Sequence, residues 1–148
     1  MKLTKRQIGQ TGLMVPTLGF GGAPLGGLLG AVDADEAALT LRSGFDSGMR
    51  YVDTAPFYGF GRSERLIGDG LRGHDYVLST KVGRLLVPGA AEDPAAMGWP
   101  DALPFHPVYD YSYDGIMRSV ADSLQRLGLD RIDILYVHDI GELTHGGQ

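Results

Sequence analysis

The strongest constraint on this chain is an alternation of short apolar runs with stretches of helical periodicity. Thr17-Leu18-Gly19-Phe20-Gly21-Gly22 predicts a short strand entering a glycine-rich loop. Asp33 and Asp35 are N-cap candidates for a helix through about Asp46. Its apolar face is expected at Ala38, Leu41 and Phe45, and Gly48 ends it in a left-handed cap. Residues 49–53 read as a second strand. Ser63 is expected to cap a second helix, with Leu66, Ile67 and Leu71 on one face and Gly73 after it. Residues 76–81 read as a third strand. Asp114 is expected to cap a third helix carrying Ile116, Val120, Leu124 and Leu127, closed by Gly128. Residues 132–137 form the fourth strand, followed by His138-Asp139. A leading hairpin is expected around Gln10-Thr11-Gly12.

Strand and helix in strict alternation imply a parallel sheet of βα units, with right-handed crossovers. An open doubly wound sheet and part of a (β/α)8 barrel both satisfy it. The first loop, Gly19-Phe20-Gly21-Gly22-Ala23-Pro24, lacks the third glycine of a G-x-G-x-x-G turn, and no Walker A sequence exists. The phosphate-loop reading is therefore weak. Residues 83–113 hold five of the eight prolines and read as a long irregular segment, a length that in compact domains usually serves function.

Composition narrows the function classes. The chain has 148 residues, enough for one domain with a real core. It has no cysteine, which excludes disulfides, thiolate metal sites and a cysteine nucleophile. The net charge of −5 argues against nucleic acid or an anionic membrane surface as partner. No targeting or membrane-spanning pattern is visible, so a cytoplasmic protein is expected. The 23 glycines cluster in short runs, as tight turns near a ligand would require.

In parallel α/β folds the reacting groups collect at the C-terminal ends of strands. Those ends carry Asp53, Lys81 and His138, and Tyr58 follows Asp53 by five residues. Singly, each has an ordinary role as turn cap, solvated strand end, packing ring or core histidine. Together they make a chemical set. A free phenol titrates near pH ~10, and a neighbouring ammonium stabilises its phenolate form. A carboxylate keeps that ammonium charged and in place, and a histidine N–H can hold a carbonyl oxygen. Such a set exchanges a proton with a carbonyl or alcohol, and a redox cofactor must supply the hydride. His138 and His145 with Asp139 lack a third ligand at metal-binding spacing, so no metal is expected. Phe57, Phe60 and Trp99 are candidates for the aromatic wall of a small-molecule pocket, Trp99 equally for a loop anchor. His74 is expected in solvent, and His106 in the long loop.

Tyr51-Val52-Asp53-Thr54-Ala55-Pro56-Phe57-Tyr58-Gly59, Ser79-Thr80-Lys81-Val82-Gly83-Arg84 and Leu135-Tyr136-Val137-His138-Asp139 resemble the aldo-keto reductases. Leu18-Gly19-Phe20-Gly21-Gly22 and Ser63-Glu64-Arg65-Leu66-Ile67-Gly68 match that family in type and order. The resemblance implies a (β/α)8 barrel with NAD(P)(H) as cofactor and a catalytic tetrad of Asp53, Tyr58, Lys81 and His138. Tyr58 would donate or accept the proton, Lys81 and Asp53 would tune it, and His138 would orient the carbonyl. Gly21, Gly22 and Asp53 would lie nearest the nicotinamide, while Phe57, Trp99 and His138 would contact substrate. The segment from Phe105 to Gly115, with Arg118-Ser119, is most similar to the branch that oxidises aldoses such as fucose, or pyridoxal.

A full barrel of this kind takes ~250 residues. Residues 1–148 therefore read as the N-terminal half, about four βα units with a leading hairpin, truncated after the fourth strand. By the resemblance, most phosphate and adenine contacts of the cofactor belong to the other half. A half-barrel exposes two sheet edges and an inner face, so self-association is the rival expectation: a catalytically incompetent half that acts by joining another. A flavodoxin-like binding domain is a third reading, and it leaves the tetrad unexplained.

Overall fold

The computed structural model describes residues 3–146. The chain opens on an antiparallel hairpin, β1 (Lys5–Gln7) with β2 (Met14–Pro16). Then follow β3 (Phe20–Gly21), a 3-10 turn (Pro24–Gly26), α1 (Ala34–Asp46), β4 (Tyr51–Asp53), α2 (Arg62–Leu71) and β5 (Val77–Val82). β6 (Arg84–Pro88) and β7 (Phe105–Tyr109) form a separate antiparallel ribbon. The chain continues through α3 (Tyr113–Leu127), β8 (Ile134–Val137) and the short α4 (Glu142–His145). The central sheet is parallel throughout, in the order β3-β4-β5-β8. This is the expected half of a barrel.

Period-two alternation divides each strand between two environments. Gly21, Asp53 and Ser79 share one register, and Lys81 with Tyr136 the next on the same face, which is the concave inner one. Val52 and Leu78 point the other way and are fully buried. They meet Ala37, Leu41 and Phe45 of α1, Ile67 and Leu71 of α2, and Leu127 of α3 in one apolar core. Each such aliphatic side chain, fully buried, contributes about 1.5–3 kcal/mol. Leu135 and Val137 lie on the same outer side of β8 but are 45% and 48% exposed. No helix among the described residues is long and apolar enough to cross a membrane.

Several local expectations are corrected. The buried stripe of α1 is Ala37, Leu41 and Phe45; Ala38 is exposed. Asp33 alone caps that helix, accepting from the backbone N–H groups of Asp35 and Glu36. Ser63 lies inside α2, which starts after Gly61. Gly59, Phe60 and Gly61 all hold positive φ, so a left-handed run turns the chain into the helix without a side-chain cap. α3 is capped by Ser112, not Asp114, through a 3.1 Å bond from the Gly115 N–H. The fourth strand starts at Ile134, not residue 132.

The largest correction concerns residues 83–113. Their ends pair as β6 and β7, from Arg84 opposite Tyr109 to Pro88 opposite Phe105. Each strand of a two-stranded ribbon has a free edge, where proline's missing N–H breaks no ladder bond. Pro88 and Pro107 are therefore tolerated within the strands, while Pro94, Pro100 and Pro104 lie in the connection between them. This ribbon and its connection bury Phe60, Leu86 and Trp99 in a second apolar cluster.

Candidate active site

The inner face of the sheet gathers the polar residues of the strands. Asp53 ends β4 and accepts two hydrogen bonds: Ser79 Oγ donates to Oδ1 at 2.6 Å, and Lys81 Nζ to Oδ2 at 2.7 Å. Lys81 Nζ also donates to the Thr54 carbonyl at 2.8 Å. An ammonium has three donors, so one remains. The pair is partly sheltered, with Lys81 14% and Asp53 31% exposed. Lys81 Nζ stands 4.5 Å from the centre of the Tyr58 ring, over its face. A cation there is attracted by the ring quadrupole.

Tyr58 is held by the backbone around it. The 3-10 turn after β3 presses against residues 58 and 59: a Cβ on Gly59 would lie 2.2 Å from the Gly26 carbonyl oxygen. With φ at +63°, Gly59 meets both a steric and a conformational demand for glycine. The Tyr58 ring packs on Trp99 at 5.6 Å and edge-on to His138 at 6.0 Å.

His138 follows β8 directly and its N–H donates to the Val82 carbonyl at 2.9 Å. Its Nδ1 is buried without a hydrogen-bond partner. Burial pushes its pKa down from 6.5 to about 4, helped by the Arg84 guanidinium. The imidazole is therefore neutral near pH 7, a donor at one nitrogen and an acceptor at the other. Deeper in the sheet, Tyr51 shares hydrogen bonds with Ser79 at 3.1 Å and Tyr136 at 3.3 Å. Desolvation pushes that phenol up to about 12, so it stays protonated.

Asp53, Tyr58, Lys81 and His138, the four positions expected to form a tetrad, thus converge on one rim. The glycines separate: at Gly21 the space where a Cβ would stand is open, whereas at Gly22 it is filled by Ile67, Asp53 and Ser63 atoms at 2.5–2.9 Å. The Gly22 N–H donates to the Asp53 carbonyl and its own carbonyl accepts from Ser63 Oγ, each at 2.7 Å. Gly22 therefore locks the strand ends together. Phe57 stacks under Arg84 and meets Trp99 edge-on at 5.7 Å. Trp99 is 3% exposed, and Phe60 is fully buried with it in the ribbon's apolar cluster. His74 is exposed, as expected, and His106 lies within β7.

Sequence reasoning gave no role to Arg84, Asp139 or Tyr111, which surround His138. Arg84 is 6% exposed and pairs with Asp139. Tyr111 Oη donates to the His138 carbonyl at 2.8 Å and lies 3.0 Å from His145 Nε2. The available signal was placement: Arg84 comes three residues after Lys81, past a glycine at φ +96°, and Asp139 directly follows His138.

Comparison with known proteins gives a consistent picture. The Aldo/keto reductase family model matches residues 17–145. The chain is 52% identical to a pyridoxal 4-dehydrogenase of Microbacterium luteolum, over 95% of this chain and 44% of that protein. It is 42% identical to a D-threo-aldose 1-dehydrogenase of a Pseudomonas species, over 94% of this chain and 44% of the other. The holo form of an aldo-keto reductase from Bacillus halodurans superposes with a TM-score of 0.69 at 32% identity, over 90% of this chain and 39% of that one. The chain thus spans less than half the length of these relatives. Its fold, the order of its motifs and the match over residues 17–145 place this chain in the aldo-keto reductase family.

Proposed function

We propose that the rim formed by Asp53, Tyr58, Lys81 and His138 serves reversible hydride transfer between a nicotinamide cofactor and a carbonyl or alcohol substrate. The carrying observation is the Asp53–Lys81 pair at 2.7 Å with the ammonium over the Tyr58 ring, beside a neutral His138. Family membership and relatives named as dehydrogenases of pyridoxal and D-threo-aldoses support this reading.

The residues fit the nicotinamide end of such a cofactor. Gly21 presents open backbone on the inner face, in register with Asp53. The nicotinamide, when bound, supplies or takes the hydride. The chain's own groups handle the proton and the oxygen. Tyr58 Oη gives its proton to the carbonyl oxygen in reduction and takes it back in oxidation. Lys81 stabilises the negative charge left on that phenol oxygen, and Asp53 with the Thr54 carbonyl fixes the ammonium. His138 donates an N–H to the same substrate oxygen. Phe57 and Trp99 exclude water from one side.

The substrate class we favour is a small, oxygen-rich carbonyl or alcohol, an aldose or pyridoxal. The test is saturable binding of NADH or NADPH, followed by nicotinamide-linked turnover of these substrates. Absence of both in folded protein would overturn the proposal. A second reading rests on Leu135, Val137 and Ile140, which are 45%, 48% and 66% exposed along β8 and beyond. In it, a second copy covers this edge and the chain acts by association. Sedimentation of a strictly monomeric species would contradict it.

A further inference from the structure

We propose that Arg84 is a positioning residue for His138: by holding the Asp139 carboxylate, it stops that carboxylate from capturing the imidazole. The ring then stays neutral and free to meet a substrate oxygen. This rests on reading the rim as a carbonyl or alcohol site, although the proposed interaction exists without substrate.

The geometry is a competition for one oxygen. Asp139 Oδ2 accepts from Arg84 Nη2, and the same oxygen stands 3.8 Å from His138 Nε2. That separation is too long for a hydrogen bond. A carboxylate released by Arg84 needs to travel only about 1 Å to form a charge-assisted bond with the ring. Arg84 is built to stay where it is. Its guanidinium carbon lies 3.9 Å from the centre of the Phe57 ring and 4.9 Å from that of Tyr109. The residue is 6% exposed, and its Nε has no partner. Asp139 holds φ +50°, a left-handed conformation that aspartate tolerates better than most non-glycine residues, and the Arg84 pair adds a tertiary contact at that position.

The groups facing His138 from each packed element are few. β6 gives Arg84, β5 gives Lys81, β4 gives Asp53, and the loop after β4 gives Tyr58. The segment before α3 gives Tyr111, which bonds the backbone carbonyl and not the ring, and α4 brings His145 to Tyr111. Among the described residues, Asp139 is the carboxylate within 4 Å of the imidazole. Burial and the two cations favour the neutral ring, and the two carboxylates oppose it. Removing Arg84 deletes a cation and releases a carboxylate, so both changes act in the same direction.

The test is an NMR titration of the four histidine rings in the chain, assigned by single substitution. In the wild type, His138 should stay neutral down to about pH 4. Arg84→Met should move its titration up toward the ordinary 6.5 or beyond. Arg84→Lys should restore most of the low value, and Arg84→Met/Asp139→Asn should return it toward wild type. A wild-type ring titrating at 6.5 or above would overturn the proposal without any variant. An unmoved His138 in Arg84→Met would overturn it too, as would an equal rise with and without Asp139. The ring titration reads Arg84 even if nicotinamide-linked turnover is absent, so the two proposals fail separately.

Discussion

Glu64 of α2 is wholly buried, and its two partners come from two other elements. Its Oε2 accepts from Arg126 Nε of α3 at 2.6 Å, and its Oε1 from Thr80 Oγ1 of β5 at 2.8 Å. Arg126 is 13% exposed and also donates to Ser123 Oγ at 3.1 Å. The two partners should therefore respond unequally to truncation. Arg126→Met leaves a carboxylate with no route to water and one hydroxyl, a loss of about 3–5 kcal/mol. Glu64→Gln keeps the Thr80 bond and leaves a guanidinium that can lean toward solvent, a loss of about 1–3 kcal/mol. Glu64→Leu/Arg126→Met removes both charges and should cost less than Arg126→Met alone. Urea unfolding reads the order. With a slope of about 2 kcal/mol per molar, Arg126→Met should lower the midpoint by about 2 M. A shift of Arg126→Met smaller than that of Glu64→Gln, or a double variant weaker than either single one, would refute the reasoning.

Two further outcomes follow. Gly59→Ala forces a side chain into left-handed backbone and onto the Gly26 carbonyl, so it should cost more than the ~1–2 kcal/mol of the backbone term alone and reduce turnover through Tyr58. Thermal unfolding and turnover together check it, and a neutral substitution would contradict the packing described. His138 has a folded pKa of about 4, below its ordinary 6.5, so the unfolded chain takes up its proton first. Its stability contribution is full above pH 6.5 and falls as pH drops toward about 4. Urea midpoints across that window should slope in the wild type and flatten in His138→Phe; an unchanged slope would assign the effect to other groups.

The parallel sheet was legible because two periodicities carry it, and the gathering of Asp53, Tyr58, Lys81 and His138 because each lies at or just past a strand end. Val52 and Leu78 had to face helices once Asp53, Ser79 and Lys81 faced inward, and the register bears this out. Helix starts were less legible. Ser63 has a cap's chemistry, but the left-handed run through Gly59, Phe60 and Gly61 delivers the chain directly into α2. Ser63 instead bonds Thr54 Oγ1 and the Gly22 carbonyl, tying the helix to two strand ends. The β6–β7 ribbon was hidden by Pro88 and Pro107, because proline discourages strands only where its N–H is needed. Arg84 was hidden for another reason. Its partner, Asp139, lies 55 residues away, and no local pattern links the two.

The role of Tyr58 is tested most directly by single-turnover hydride transfer in Tyr58→Phe, with nicotinamide affinity measured in parallel. The phenylalanine keeps the ring against Trp99 and His138 and removes only the hydroxyl that would carry the proton. The account predicts a loss of about 10²-fold or more in the transfer rate, with cofactor binding unchanged. A transfer rate close to wild type would contradict it, and the proton would then have to come from another group on the rim.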